Sequence, residues 1–186
     1  GSEFNNIITY NSMRVLDPSR RLYRKKLFSK DKAGKFLPGP CPFCTKKIIR
    51  KQLCTSFSFK HWSVVTNLYP YMDGNLMLVP KRHVETLEEL TEAEQLEWFE
   101  AMKETKDTLA ALFDTNSFNI SLNIGECSGG SIKHLHWQII PRPYNYKMNA
   151  INIFEEIHVV GLSPEELVKM IDDYRSKKLL QRKKRA

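Results

Sequence analysis

Hydrophobic and polar positions change their period several times along this chain, and each change marks an element. Phe118, Ile120, Leu122 and Ile124 alternate with Asn119, Ser121 and Asn123, the period of a half-buried strand. Phe57 to Val65 and Asn75 to Val79 also read as strands. The link Asn67–Gly74 between them carries Pro70, Asp73 and Gly74 as turn formers, so the two make a hairpin-like pair. After Thr91 the period lengthens. Leu96, Phe99, Met102, Leu109, Leu112 and Phe113 recur at helical spacing, and Thr91 with Glu94 three residues on matches a capping box. The expectation is one long amphipathic helix whose stripe packs on a sheet. A Gly- and Ser-rich loop from Gly125 to Ser131 precedes another strand, His134 to Ile140, ended by Pro141 and Pro143. Ser163-Pro164-Glu165-Glu166 then opens a last helix, with a cap, a first-turn proline and acidic residues suited to the helix dipole. No internal repeat is present.

The length of 186 residues suits one domain with flanks, and 41% hydrophobic residues with 11% aromatics can bury a core. No apolar run approaches the roughly 20 residues that span a bilayer, and no signal-like segment opens the chain, so the expected compartment is the cytoplasm. The opening Gly1-Ser2-Glu3-Phe4 reads as a cloning scar. The net charge of +8 is concentrated in two segments, Arg20 to Lys35 and Arg175 to Arg185. This divides the chain into a basic flank at 5–40, a domain at 41–174 and a basic tail at 175–186. The flanks are either solvated termini or a grip for nucleic-acid phosphates. Of four cysteines, Cys41 and Cys44 form a Cys-Pro-Phe-Cys knuckle while Cys54 and Cys127 are scattered, which favours metal or redox chemistry over a disulfide scaffold.

The chemistry concentrates in His134-Leu135-His136-Trp137-Gln138. On a strand, side chains alternate, so His134, His136 and Gln138 share one face while Leu135, Trp137 and Ile139 face a core. A lone histidine there would be structural. Two with a glutamine, just after Gly129-Gly130-Ser131, suggest a phosphate site, because glycines let backbone N–H groups approach phosphate oxygens.

This segment resembles the histidine triad signature, His-x-His-x-His, in the variant with glutamine third, as in galactose-1-phosphate uridylyltransferases and diadenosine tetraphosphate phosphorylases. The resemblance runs from about Cys41 to about Arg142 and includes Leu78-Val79-Pro80-Lys81-Arg82-His83-Val84. It implies an α+β fold: an antiparallel sheet packed with a long amphipathic helix and a C-terminal helix, usually in a homodimer. It also implies that His136 attacks a nucleotide α-phosphorus to form a nucleotidyl-histidine, a covalent route that splits one transfer into two. Gln138 would then donate a hydrogen bond to the phosphoryl oxygen. Asn123, Ser128, Gly130 and Ser131 match positions that hold phosphate, and Asn67 matches the residue on the ribose hydroxyls.

In the zinc-bearing members the knuckle is completed by a histidine after the Val-Pro strand and by the first histidine of the motif. The resemblance therefore implies a structural zinc on Cys41, Cys44, His83 and His134, with His61 and His158 as substitutes. The implied activity is a nucleotidyltransferase or phosphorylase acting on a nucleoside polyphosphate, with phosphate or a sugar phosphate as acceptor. The alternatives are hydrolysis of dinucleoside polyphosphates or nucleoside phosphoramidates, and a zinc-containing protein that binds or processes nucleic-acid ends.

Overall fold

The computed structural model describes residues 40–125, 128, 132–142 and 161–185. Most of the expected N-terminal flank lies outside these residues, as do Cys127, Gly130, Ser131, Pro143 and His158. The elements in chain order are α1 (Lys46–Ile49), β1 (Trp62–Thr66), β2 (Leu76–Pro80), a 3-10 turn (Leu87–Glu89), α2 (Glu92–Leu112), β3 (Ser117–Leu122), β4 (Trp137–Arg142) and α3 (Pro164–Arg185). The strands form one antiparallel sheet in the order β1-β2-β4-β3. This is the expected α+β arrangement, with both helices on one face.

Side-chain alternation sorts the sheet into two layers. Trp62, Val64, Leu76, Leu78 and Ile139 point to α2 and α3 and join Ala101, Leu109, Leu167 and Ile171 in the main core. Trp137 stacks edge-on against Trp62, with ring centroids 5.4 Å apart. The indole of Trp62 also donates to the Glu94 carbonyl at 2.8 Å, so its burial leaves no polar group unpaired. On the opposite face, Val65, Met77 and Val79 cluster with Phe43 of the N-terminal turn. His134, His136 and Gln138 follow the same alternation and fall on this second face.

Both helix starts are capped as expected. Thr91 and Glu94 bond reciprocally, Glu94 N to Thr91 Oγ1 at 3.3 Å and Thr91 N to Glu94 Oε2 at 2.8 Å. Ser163 and Glu166 do the same. The expected stripe of α2 needs correction. Leu96 and Phe99 are 72% and 61% exposed, and the buried face is Ala101, Thr105, Thr108 and Leu109. Small and β-branched residues let α2 lie close to its neighbours, and the Thr105 and Thr108 hydroxyls are satisfied by the Ala101 and Glu104 carbonyls. The expected stripe is thus right for Leu109 and for Met102, Leu112 and Phe113, which pack against the core, and wrong for Leu96 and Phe99 in the first two turns.

Strand boundaries moved for identifiable reasons. Residues 57–61 do not extend β1, because the Glu97 carboxylate takes the Lys60 and His61 N–H groups that a ladder would use. Pro141 does not end β4. It pairs with Phe118, and the pairing with β2 already stops at Ile139, so its missing N–H falls where β4 has a neighbour on one side only. Residues 134–136 lead into β4 through a single bond, Leu135 N to Val84 O at 2.7 Å.

α3 is tied down at its middle. Asp172 accepts from Thr55 N, Thr55 Oγ1 and Ser56 N at 3.1, 2.9 and 3.0 Å. Arg175 lies 3.7 Å over the Phe57 ring and pairs with Glu104. Beyond Arg175 the basic residues continue the same helix, exposed through Lys184.

Candidate active site

The Cys-Pro-Phe-Cys knuckle is a tight turn in which the Cys41 carbonyl accepts from Cys44 N at 3.2 Å, Thr45 N at 3.1 Å and Thr45 Oγ1 at 2.8 Å. It places Cys41 and Cys44 beside His83, just past β2, and His134, on the approach to β4. The four potential ligand atoms lie within 4.8 Å of one another. Cys41 Sγ is 3.3 Å from His134 Nδ1, Cys44 Sγ is 3.3 Å from His83 Nδ1, and Cys44 Sγ is 3.6 Å from His134 Nδ1. A tetrahedral zinc with ordinary Zn–S and Zn–N bonds requires S···N edges of about 3.5 Å, so the spacing and the S₂N₂ donor set both fit that ion. His61 is not part of the cluster.

The far nitrogens of the two histidines are held as metal ligands require. His134 Nε2 donates to the Pro80 carbonyl at 2.9 Å, and His83 Nε2 donates to Glu85 Oε1 at 3.3 Å. Each bond fixes the tautomer that turns the Nδ1 lone pair toward the thiols. Burial pushes the His134 pKa down to about 4, which keeps the ring neutral and able to coordinate. Cys44 is exposed as a residue, but its Sγ is turned in against Cys41 and the two rings. Desolvation, then the hydrogen bond and charge of Cys41, push its pKa up to about 11. A dication held by these residues would reverse that balance by favouring the thiolate form of its sulfur ligands.

His136 is 8% exposed and stands next to this cluster. Its Nδ1 lies 2.7 Å from the His134 carbonyl. A carbonyl only accepts, so Nδ1 carries the proton and Nε2 carries the lone pair. Burial also pushes the His136 pKa down. Phe43, between the two knuckle cysteines, packs on both rings, 5.6 Å from His134 and 5.4 Å from His136. The knuckle thus packs against His136 as well as bringing two thiols to the cluster.

Gln138 is 4% exposed, two residues further along the same face. Its Oε1 accepts from Asn75 Nδ2 at 2.9 Å and from Asn67 Nδ2 at 3.4 Å. Asn67 has its own Oδ1 on Tyr69 N at 2.9 Å. Asn123 lines a cavity of about 230 Å³ with Glu85, Lys133, His134 and others, adjoining the metal cluster. The Ser128 hydroxyl donates to the Gly125 carbonyl at 2.7 Å. The described residues expected at the site run along one face of the sheet and do not gather at a single end. Cys41, Cys44, His83 and His134 cluster past the Pro80 end of β2, Gln138 lies opposite Met77 within the sheet, and Asn67 bonds Gln138 from the Leu76 end, while Asn123 lines the cavity and Ser128 lies on the loop beyond Gly125.

The sequence reading passed over Asn75, Phe43 and Glu85. Asn75 is fully buried. Its signal was present: a polar residue at the start of a strand whose other members are all apolar, where a buried amide needs partners.

A family model described as the HIT domain matches residues 52–145, half of the chain. The chain belongs to the HIT family. Curated relatives of this HIT chain include an AP-4-A phosphorylase of Mycobacterium tuberculosis, 40% identical over 79 residues, covering 42% of this chain and 40% of the relative. A bis(5'-adenosyl)-triphosphatase of Saccharomyces cerevisiae is 30% identical over 96 residues, 51% of this chain and 45% of the relative. The HIT chain thus matches less than half the length of either. Among solved structures, a hypothetical histidine triad nucleotide-binding protein of Sulfolobus tokodaii superposes with a TM-score of 0.58 at 22% identity, covering 74% of this chain and 93% of that one. A zinc-bound histidine triad family protein of Mycobacterium smegmatis superposes with a TM-score of 0.53 at 16% identity, covering 75% and 95%. These two establish the fold.

Proposed function

We propose that this HIT protein is a nucleotidyltransferase of the phosphorylase type that acts on a dinucleoside polyphosphate such as diadenosine tetraphosphate. The observation that carries the reading is the tautomer of His136: with Nδ1–H held by the His134 carbonyl at 2.7 Å, Nε2 is a free lone pair in a nearly buried position. Nε2 attacks the α-phosphorus, the bond to the bridging oxygen breaks, and a nucleoside polyphosphate leaves. The ring is then positively charged, and its Nδ1–H bond to the carbonyl stabilises that charge. An acceptor oxygen displaces Nε2 in the second step and the lone pair returns to the ring.

Gln138 favours phosphate over water as the acceptor. An amide donates a hydrogen bond to a phosphoryl oxygen but cannot exchange a proton near neutral pH, so it does not activate water. Inorganic phosphate is already anionic and nucleophilic. Asn123, Ser128, Gly130 and Ser131 are assigned to phosphate contacts and Asn67 to the ribose end. Cys41, Cys44, His83 and His134 would hold a zinc ion whose role is structural, tying the N-terminal turn to the strand that carries His136. The names of the phosphorylase and triphosphatase relatives support the substrate class, and the zinc-bound structural neighbour supports the metal.

The test is mass spectrometry of products. Diadenosine tetraphosphate with phosphate should yield ADP and ATP in equal amounts, and omission of phosphate should stall the reaction. AMP and ATP formed at a rate indifferent to phosphate would replace the phosphorylase with the hydrolase reading.

A further inference from the structure

Three amides, Asn67, Asn75 and Gln138, form a closed set of hydrogen bonds beside His136, and the direction of every one is fixed by backbone groups that cannot flip. Tyr71 N donates to Asn75 Oδ1 at 3.2 Å, and Asn75 Nδ2 donates to the Leu76 carbonyl at 3.2 Å. An N–H only donates and a carbonyl only accepts, so the two ends of the Asn75 amide are assigned without choice. Tyr69 N likewise claims Asn67 Oδ1 at 2.9 Å and leaves Asn67 Nδ2 to donate to Asn75 Oδ1 at 3.1 Å. Both asparagines therefore present N–H groups to Gln138, whose Oε1 accepts at 2.9 and 3.4 Å. Rotating the Gln138 amide by half a turn would face its N–H groups against two other donors. With Oε1 committed inward, Nε2 is the end left over, and among the described residues no group accepts from it. Asn75 is fully buried and Gln138 is 4% exposed, yet Gln138 Nε2 is not among the fully buried unpaired atoms, so the free donor sits at the accessible edge of an otherwise buried side chain.

We propose that Asn75, backed by Asn67, is a positioning residue that locks the Gln138 amide with its two N–H bonds toward the reacting phosphoryl group. This rests on the nucleotidyl-transfer reading of the site, and it adds a cause: a glutamine free to rotate would present its carbonyl oxygen to an anionic oxygen half of the time. The backbone N–H groups of Tyr69 and Tyr71, in the turn between β1 and β2, are the ultimate source of the orientation. The turn thereby sets the polarity of a catalytic side chain on β4.

The test compares Asn75→Asp, Asn75→Ala, Gln138→Ala and the double variant Asn75→Asp/Gln138→Ala, each checked for melting temperature and metal content. Aspartate is nearly isosteric and still accepts from Tyr71 N, but it offers no N–H to Gln138. The glutamine must then turn its N–H groups inward and its oxygen toward the phosphoryl group. Asn75→Asp should lower kcat for phosphorolysis of diadenosine tetraphosphate by about 10²–10³-fold with little change in KM, the range for losing one transition-state donor. Asn75→Ala frees the amide without reversing it and should cost about tenfold. In the Gln138→Ala background Asn75→Asp should cost no more than about twofold, because there is no amide left to orient. Multiplying losses in the double variant, or alanine as damaging as aspartate, would overturn the proposal.

A second measurement is independent of turnover. In the ¹⁵N-labelled full chain, the Gln138 side-chain NH₂ resonances should respond to added AMP in the wild type, and in Asn75→Asp they should become protected from exchange and cease to respond. Unchanged Gln138 resonances in that variant would also overturn the proposal. If Asn75→Asp does not fold, Asn67→Asp carries the same resonance test from a half-buried position. A wild-type chain that does not phosphorolyse the substrate refutes the phosphorylase reading alone, and the resonances still decide this one.

Discussion

Gly74→Ala offers a sharp check on how the turn before Asn75 is built. Gly74 has φ +82°, and a Cβ placed there would lie 2.6 Å from Pro141 Cγ and 2.7 Å from Phe113 Cε2 and Cζ. The left-handed conformation alone costs an alanine about 1–2 kcal/mol. The overlap with two rings, one in β4 and one at the end of α2, adds about 1–3 kcal/mol of overpacking. The sum, about 2–5 kcal/mol, corresponds to a fall in melting temperature of about 4–20 °C for a chain of this size. Gly125 provides the control. It has the same φ of +82°, and among the described residues no atom lies within 4 Å of its added Cβ. Gly125→Ala should therefore lose only the conformational part, about 2–8 °C. Both variants should be melted at the same metal loading, by calorimetry or circular dichroism. Equal losses at the two positions, or none at Gly74, would refute the claim that Pro141 and Phe113 close over this turn.

Replacing His136 with alanine should abolish activity by at least about a thousandfold while melting temperature and metal content stay near wild type, since its metal-binding neighbours are untouched; near-normal turnover would end its assignment as nucleophile. Stripping the metal with a chelator should lower the melting temperature, because an ion bound only by the folded state at a hundredfold over its Kd contributes about 2.7 kcal/mol, and zinc should restore it; an unchanged melt after complete removal would exclude a structural ion. Glu94 is held down to about 2, first by the Arg82 hydrogen bond and then by Thr91. Its folded pKa lies below the unfolded value of about 4.3, so its stabilisation is complete above that value and is lost as pH falls toward 2. Glu94→Ala should thus destabilise by about 1 kcal/mol at pH 6, as a lost cap does, and by much less at pH 3; a gap in denaturation midpoint that is the same at both pH values would count against it. Arg82 is 48% exposed, so the ion pair itself adds little.

Much of the candidate site is legible in the sequence because its signals are local. Cys41 and Cys44 are three positions apart, a turn's reach, and His134, His136 and Gln138 share a face through nothing more than strand alternation. The caps at Thr91 and Ser163 involve residues three apart and were equally legible. Errors fell where the outcome depends on what arrives from elsewhere. Glu97 on α2 removed the start of β1, and α3 and the sheet selected Ala101, Thr105 and Leu109 over Leu96 and Phe99 as the buried side of α2.

By itself the sequence determined the helices with their caps, the alternation of the strands and the shared face of His134, His136 and Gln138, because each follows from spacing within a few residues; the α+β class was implied by the family resemblance and agrees with those elements. Only the tertiary structure decided how those groups are poised. The tautomer of His136 depends on the His134 carbonyl, the free lone pairs of His83 and His134 depend on Glu85 and Pro80, and the orientation of Gln138 depends on two asparagines 71 and 63 residues away. Hydrogen bonds are directional and act over about 3 Å, so a proton's position is set by whichever atoms the fold brings that close, and sequence distance carries no information about it.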